Sequence, residues 1–179
     1  MSNMSDDALK RSIRNVPDFP VAGIQFKDVT TLFKDPACLL FLSDKLYEFY
    51  KNKGLTKIVG VESRGFIMGP VLAARLGIGF VPIRKPGKLP ADVFEESYGK
   101  EYGTDSIQIH QDALCESDVV LIHDDLLATG GTMIAACKLV ERFSPKKIFV
   151  NAIVELESLK ARNLFSKDLE VYTVIKFDI

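Results

Sequence analysis

Short, mainly apolar runs recur along the chain at residues 57–61, 79–83, 119–122, 148–154 and 171–175. Runs this short, bounded by Gly, Pro or charged residues, read as strands buried on both faces. The stretches between them carry a different period. Leu39, Leu42, Leu46, Phe49 and Tyr50 fall at helical spacing after Asp35-Pro36. Asp at the cap and Pro at the first helical position open a helix there, and Gly54 is its expected stop. Residues 65–76 read as a second helix ended by Gly77, with Pro70 restricting where it can begin. Residues 131–143 read as a third. Near the N-terminus, Ser5 can cap a short helix over residues 5–10, with Asp6 and Asp7 in the first turn where the helix dipole favours them. Val16-Pro17-Asp18-Phe19-Pro20 then breaks regular structure.

Apolar strands alternating with amphipathic helices predict an α/β fold: one parallel, twisted sheet flanked by helices on both faces. Such sheets bind ligands beyond the C-terminal ends of their strands. Chemistry is therefore expected just after Val61, Ile83, Ile122 and Val154. Between residues 84 and 111 the pattern changes to Gly, Lys, Glu and Tyr with little helical period. A stretch that long without a helix reads as a lid or binding loop. Tyr98, Tyr102 and the alternation Ile107-Gln108-Ile109 predict a β-hairpin within it.

Composition narrows the class. At 179 residues the chain suits one domain, here 1–179, which needs neither disulfides nor a structural metal to fold. Lys plus Arg total 23 against 24 for Asp plus Glu. That balance gives no support to general nucleic-acid binding. No apolar run approaches the ~20 residues that span a bilayer, and no signal-peptide core is visible. Cys38, Cys115 and Cys137 are far apart and lack metal-site spacing, so they read as small apolar residues. The expectation is a soluble, cytoplasmic protein without membrane partners.

The stretch Val119-Val120-Leu121-Ile122-His123-Asp124-Asp125-Leu126-Leu127-Ala128-Thr129-Gly130-Gly131-Thr132 carries the most chemistry. A strand delivers two adjacent carboxylates to the sheet edge. A side-chain-poor loop follows and a helix begins. Backbone N–H groups from Ala128 to Thr132 can approach an anion closely, the Thr129 and Thr132 hydroxyls add donors, and the helix N-terminus adds a favourable field. Two acids beside a phosphate loop make sense for a ligand that also carries vicinal hydroxyls, such as a ribose 5-phosphate. Taken alone, Asp124 and Asp125 read as a solvated acidic turn that caps the helix, and it is the whole fourteen-residue string that points to a ligand.

This string resembles the phosphoribosyl-pyrophosphate (PRPP) motif of the type I phosphoribosyltransferases. Further segments resemble the adenine phosphoribosyltransferase family and occur in its order: Asp18-Phe19-Pro20, Gly23-Ile24-Gln25-Phe26-Lys27-Asp28, Glu62-Ser63-Arg64-Gly65-Phe66, Arg84-Lys85-Pro86-Gly87-Lys88-Leu89-Pro90, Glu101-Tyr102-Gly103 and Val154-Glu155-Leu156. The resemblance implies the type I fold, with a small N-terminal hood over about residues 1–34 and a flexible β-hairpin lid over about residues 84–111. It implies conversion of adenine and PRPP to AMP and pyrophosphate in purine salvage, with Mg²⁺ carried by PRPP rather than by direct protein ligands, in a homodimer. Transfer to another base, such as xanthine or orotate, or a PRPP-binding regulator without turnover, is the alternative.

Residue by residue, the resemblance assigns Asp124 and Asp125 to the ribose, and Ala128, Thr129, Gly130, Gly131 and Thr132 to the 5-phosphate. It assigns Ser63 and Arg64 to pyrophosphate, with a cis peptide between Glu62 and Ser63. Lys85 and Lys88 fall beside the pyrophosphate as a cationic cluster with Arg84. Gln25, Phe26 and Leu156 would hold adenine, Phe26 and Leu156 from opposite sides. Lys27 belongs to the same site but stands where the family commonly carries Arg, so it keeps the charge and loses the planar fork. Glu101 would be the general acid/base on the purine imidazole ring, with Tyr102 beside it in the lid. His123 stands where an apolar residue is usual and reads as an end-of-strand residue without a catalytic role.

Overall fold

The computed structural model describes residues 4–99 and 103–178. Its centre is a five-stranded, all-parallel sheet built from β3 (Lys57–Val61), β4 (Gly79–Ile83), β7 (Val119–Leu127), β8 (Lys147–Leu156) and β9 (Glu170–Phe177), in the order β4-β3-β7-β8-β9. Two antiparallel pairs flank it. β1 (Arg14–Pro17) pairs with β2 (Gln25–Asp28), and β5 (Val93–Gly99) pairs with β6 (Thr104–His110).

Both faces of the sheet are covered, as its unbroken apolar strands require. One face packs against α1 (Asp6–Arg11), α2 (Thr30–Lys34), α3 (Pro36–Tyr50) and α4 (Gly65–Leu76) through Leu9, Leu32, Leu42, Leu46, Met68 and Leu72. The other packs against α5 (Gly131–Glu141) and the inner side of the β5–β6 hairpin, through Ala136, Leu139, Val140, Ile107 and Ile109. The N-terminal segment thus shares the main core, since Leu9, Ile13, Val29 and Leu32 are all buried in it.

The caps are where the sequence puts them. Ser5 accepts from the Ala8 N–H, and Asp35 accepts from the N–H groups of Ala37 and Cys38. β3, β4 and the span of α4 match the apolar runs residue for residue.

Four expectations are corrected. Val16 and Pro17 lie in β1, where pairing with Phe26 and Gln25 overrides the Pro signal, and irregular backbone starts at Asp18. α3 ends at Tyr50, and Gly54 closes the following turn with φ of 70°. Pro70 sits inside α4 rather than limiting its start, so the helix forgoes one backbone donor while burying Met68, Gly69, Leu72 and Ala73. β7 runs on past Ile122 to Leu127, and β8 past Val154 to Leu156, because their pairing continues through Asp124↔Ala152 and Leu127↔Glu155.

Candidate active site

β3 leads outward to β4, whereas β7 leads the opposite way to β8 and β9. The sheet's switch point therefore lies between β3 and β7, and the crevice beyond their C-terminal ends is where this topology binds ligands. The loop after β3 begins with Glu62 and Ser63, joined by a cis peptide as the motif implied, and leads through Arg64 into α4. β7 carries Asp124 and Asp125 and leads through Ala128–Gly130 into α5.

The two acids are strand residues, not a solvated turn. Strand alternation sends them to opposite sides. Asp125 is 2 % exposed, and its Oδ2 lies 2.9 Å from Arg64 Nε, an ion pair without hydrogen-bond alignment. Asp124 Oδ1 accepts from the Asp125 N–H at 2.8 Å. Burial, and then the Asp125 charge, push the Asp124 carboxyl well above the usual carboxylate range. Burial also raises Asp125, opposed by the Arg64 charge. Two carboxylates held this way gain from hydroxyl donors that a ligand would bring.

The loop after them forms a cavity of about 180 Å³ lined by Arg64, Asp124, Asp125 and every residue from Leu126 to Met133. Gly130 caps α5 with φ of 88°, a left-handed conformation suited to glycine. The first N–H groups of α5 open into this cavity without a capping side chain, which leaves them for an anion. A second cavity of about 280 Å³ adjoins it, sharing Arg64, Asp124, Asp125 and Thr132 as lining and adding Glu62, Ser63, Lys85 and Tyr98.

The cations around this second cavity are already engaged. Arg84 grips Glu62 through Nε at 3.0 Å and Nη2 at 3.3 Å, and Glu62 also accepts from the Lys85 N–H at 2.8 Å. The Arg84 hydrogen bonds, followed by that main-chain donor, hold Glu62 below its ordinary pKa. Lys85 Nζ contacts Asp105, and Tyr98 Oη lies 3.2 Å away. Burial alone would lower the Lys85 pKa, but the bonds to Asp105 and Tyr98 outweigh it and raise it. Lys88 is exposed on its loop and lines neither cavity.

Three of the adenine candidates, Gln25, Phe26 and Lys27, lie on β2. Phe26 packs edge-on to Phe19, with ring centroids 5.1 Å apart, and the Arg64 guanidinium lies 5.7 Å from the Phe26 ring centroid. Gln25 is exposed and its side chain accepts from Asn15 at 2.7 Å. Lys27 donates to Asn15 Oδ1 at 2.9 Å and stands 4.7 Å over the Phe177 ring, a use of its charge that needs no planar fork. Leu156 ends β8 and packs at the edge of the core. Glu101 and Tyr102 lie outside the described residues. The β5–β6 pair itself is formed, and its base is tied to the sheet by two main-chain bonds between Arg84 and Gln108.

Sequence reasoning gave no role to Glu62 or Asp105. Val61 and Ile83 are partners in register, so the residues that follow them, Glu62 and Arg84, emerge side by side. That acid–base pair was findable once the strands were placed. Asp105 lies directly opposite Tyr98 only in the hairpin register, which the sequence alone does not display.

Comparison with known proteins agrees with this geometry. Residues 29–173 match the phosphoribosyl transferase domain family. The adenine phosphoribosyltransferase of Bacteroides thetaiotaomicron is 65% identical over 172 residues, covering 96% of this chain and 98% of that protein. The adenine phosphoribosyltransferase of Giardia lamblia, solved in complex with 9-deazaadenine, superposes with a TM-score of 0.93 at 40% identity, covering 99% of this chain and 100% of the other. That of Rhodothermus marinus gives 0.89 at 46% identity, covering 96% and 98%. Likeness of this degree along nearly the whole length of both chains means that this chain belongs to the phosphoribosyltransferase family, in its adenine phosphoribosyltransferase branch.

Proposed function

We propose that the protein transfers the 5-phosphoribosyl group of PRPP to adenine, giving AMP and pyrophosphate, at the crevice between β3 and β7. The observation that carries this reading is the shared cavity. Asp124 and Asp125, the side-chain-poor loop 128–131 and Arg64 all line it. A ribose with vicinal hydroxyls, a 5-phosphate on one side and a pyrophosphate on the other meets a matching group at each point.

In this reading the N–H groups and hydroxyls of Ala128–Thr132 hold the 5-phosphate, and Asp124 and Asp125 accept from the ribose hydroxyls. Adenine N9 forms a bond to ribose C1 while the C1–oxygen bond to pyrophosphate breaks and its electron pair leaves with the pyrophosphate. Positive charge builds on the ribose, beside the two carboxylates, and negative charge builds on the leaving group, beside Arg64 and Lys85. Lys85 would exchange its Asp105 contact for a pyrophosphate oxygen. Phe26 and Leu156 flank the base, with Gln25 and Lys27 near its edge. Glu101 takes up the proton that the imidazole ring of adenine releases. The 84–111 segment acts as the lid and residues 1–34 as the hood.

No group of three or more His, Cys, Asp or Glu that could hold a metal is present among the described residues. The hard oxygens of Asp124 and Asp125 suit Mg²⁺ as outer partners, and the phosphates of PRPP would hold the ion. Bound there, Mg²⁺ would offset charge on the departing pyrophosphate. We place the enzyme in the cytoplasm as a homodimer. Three unpaired cysteines accord with a reducing compartment, and no helix among the described residues is long and apolar enough to cross a membrane.

Turnover of PRPP with adenine, guanine, hypoxanthine, xanthine and orotate tests the whole reading. AMP formation at a rate far above that with the other bases is expected. A preference for xanthine or orotate would move the assignment to another base, and PRPP binding without any turnover would make the chain a regulator.

A further inference from the structure

We infer that Arg162 is a positioning residue for the 5-phosphate loop, acting through the helical turn Ala161–Leu164 that forms the wall behind Gly130. The inference rests on the assignment of residues 128–132 to the 5-phosphate, and three observations carry it.

The turn packs directly on the loop. A Cβ placed on Gly130 would lie 3.1 Å from Leu164 Cδ1 and 3.2 Å from Ala161 Cβ. Nothing lies between the loop's left-handed residue and this turn, and Ala161 is 2 % exposed. If the turn shifts, the wall against which Gly130 rests shifts with it.

A single side chain then fixes the turn. Arg162 forks onto Glu155, with Nε 2.7 Å from Oε1 and Nη2 2.8 Å from Oε2. Its Nη2 also donates to Thr173 Oγ1 at 3.0 Å, and Nη1 donates to the Val171 carbonyl at 3.0 Å. The Thr173 hydroxyl donates in turn to Glu155 Oε2 at 2.6 Å. The guanidinium thus bridges β8 and β9, and its planar fork matches the carboxylate in a way that an ammonium cannot. Glu155 is 3 % exposed. Burial would raise its pKa, but the Arg162 and Thr173 bonds outweigh it and keep the carboxyl ionised.

The far end of the fork lies under the loop's entry. Glu155 is the register partner of Leu127, the last residue of β7 before Ala128. One ion pair therefore sits beneath both the start of the phosphate loop and the turn that backs its glycine. Arg64, Lys85 and Asp124, on the pyrophosphate and ribose side, make their ion pairs and hydrogen bonds with other residues: Asp125, Asp105 and Tyr98. The effect of the Arg162–Glu155 pair is confined to the 5-phosphate end of the cavity.

The test compares two simple probes on the full-length protein: ribose 5-phosphate, which uses the loop, and inorganic pyrophosphate, which uses the other side. Calorimetry gives both dissociation constants for the parent, for Arg162→Lys and for the double variant Glu155→Leu/Arg162→Leu. The double variant removes both charges together, so no buried ion is left unpaired. We expect ribose 5-phosphate to bind about tenfold more weakly in both variants, with pyrophosphate affinity within twofold of the parent. Equal weakening of both probes would mean general damage and would overturn the inference. Parent-like binding of ribose 5-phosphate by a folded variant would also overturn it, because the network would then be only a brace for the fold. If the double variant does not fold, Arg162→Lys decides by the same comparison. Failure of the parent itself to bind ribose 5-phosphate would instead overturn the assignment of the loop, and this inference with it.

Discussion

Adjacent acids in a sequence do not announce which of them faces a ligand. Asp124 and Asp125 alternate along a strand, so each has a separate neighbourhood. Asp125 is buried against Arg64, whereas Asp124 has no cation beside it at salt-bridge distance among the described residues. Their substitutions should differ accordingly. Asp124→Asn keeps the shape and removes a charge-assisted acceptor for a ribose hydroxyl, a loss of about 1.5–3 kcal/mol. The KM for PRPP should rise about tenfold or more, with the KM for adenine little changed. Asp125→Asn also releases Arg64, so pyrophosphate affinity should fall along with PRPP affinity. Initial-rate kinetics in both substrates checks the pair. Parent-like PRPP constants in Asp124→Asn would show that the carboxylate does not hold the ribose.

Elements were legible where local signals agree. Residues 57–61 and 79–83 are mainly apolar, short and punctuated, and both are strands with those bounds. The helix at 65–76 has Gly77 at φ 67° as its stop, the one conformation for which that residue type is the strongest signal. What was hidden depends on partners. β7 continues through two acids because β8 and Arg64 receive them, and nothing in the string Asp124-Asp125 shows that. Pro70 is tolerated inside α4 because the helix around it is buried against the sheet. The side-chain-poor loop 128–131 and the helix after it were legible from their small residues, but the loop's two glycines proved different. Gly130 combines positive φ with a crowded back wall, so Gly130→Val would strain the backbone as well as block the anion. Gly131 has ordinary φ, and a Cβ there meets nothing closer than Tyr98 Cδ2 at 3.5 Å. Gly131→Val is thus the clean probe: the melting temperature should stay within a few degrees while calorimetric PRPP affinity falls at least tenfold. Retained affinity in that folded variant would remove the cradle. The proposed lid acid poses a chemical question. Glu101→Gln keeps size and hydrogen bonding but removes proton transfer, a loss typically about 10²–10⁴-fold. Single-turnover AMP formation at saturating Mg²⁺ and PRPP should slow by that range, and a parent-like rate would leave the lid a role in closure alone.

At the scale of the whole molecule, the two cores meet across a sheet whose central strand holds an unexpected polar group. His123 was expected to end its strand. It lies in the middle of β7, fully buried, with Nδ1 2.7 Å from Asn151 Oδ1. Asn151 donates its Nδ2 to the Tyr172 carbonyl at 2.9 Å, so its oxygen faces the imidazole, and Nδ1 carries the proton. Nε2 is buried and has no hydrogen-bond partner among the described residues. Burial, opposed weakly by the Asn151 bond, lowers the His123 pKa from 6.5 to about 4. The unfolded chain therefore binds a proton that the folded chain refuses between those values. Stability from this group is complete above pH 6.5 and is lost as pH falls toward 4, by about 3 kcal/mol in all. Asp124 and Asp125 act with the opposite sign, because their raised values favour proton uptake by the folded state. A single pH curve would mix these effects, so the informative quantity is the difference between the parent and His123→Leu. That variant orphans Asn151 Oδ1, which adds a cost that does not vary with pH. Urea unfolding of both proteins at pH 7.5 and pH 5.0, at one protein concentration, should show the parent losing about 2 kcal/mol more than His123→Leu across that interval. The variant is expected to start less stable and to close the gap as the solution is acidified. Parallel losses would mean that His123 already carries its proton inside the fold, and that the strand pair around Asn151 opens enough to hydrate it.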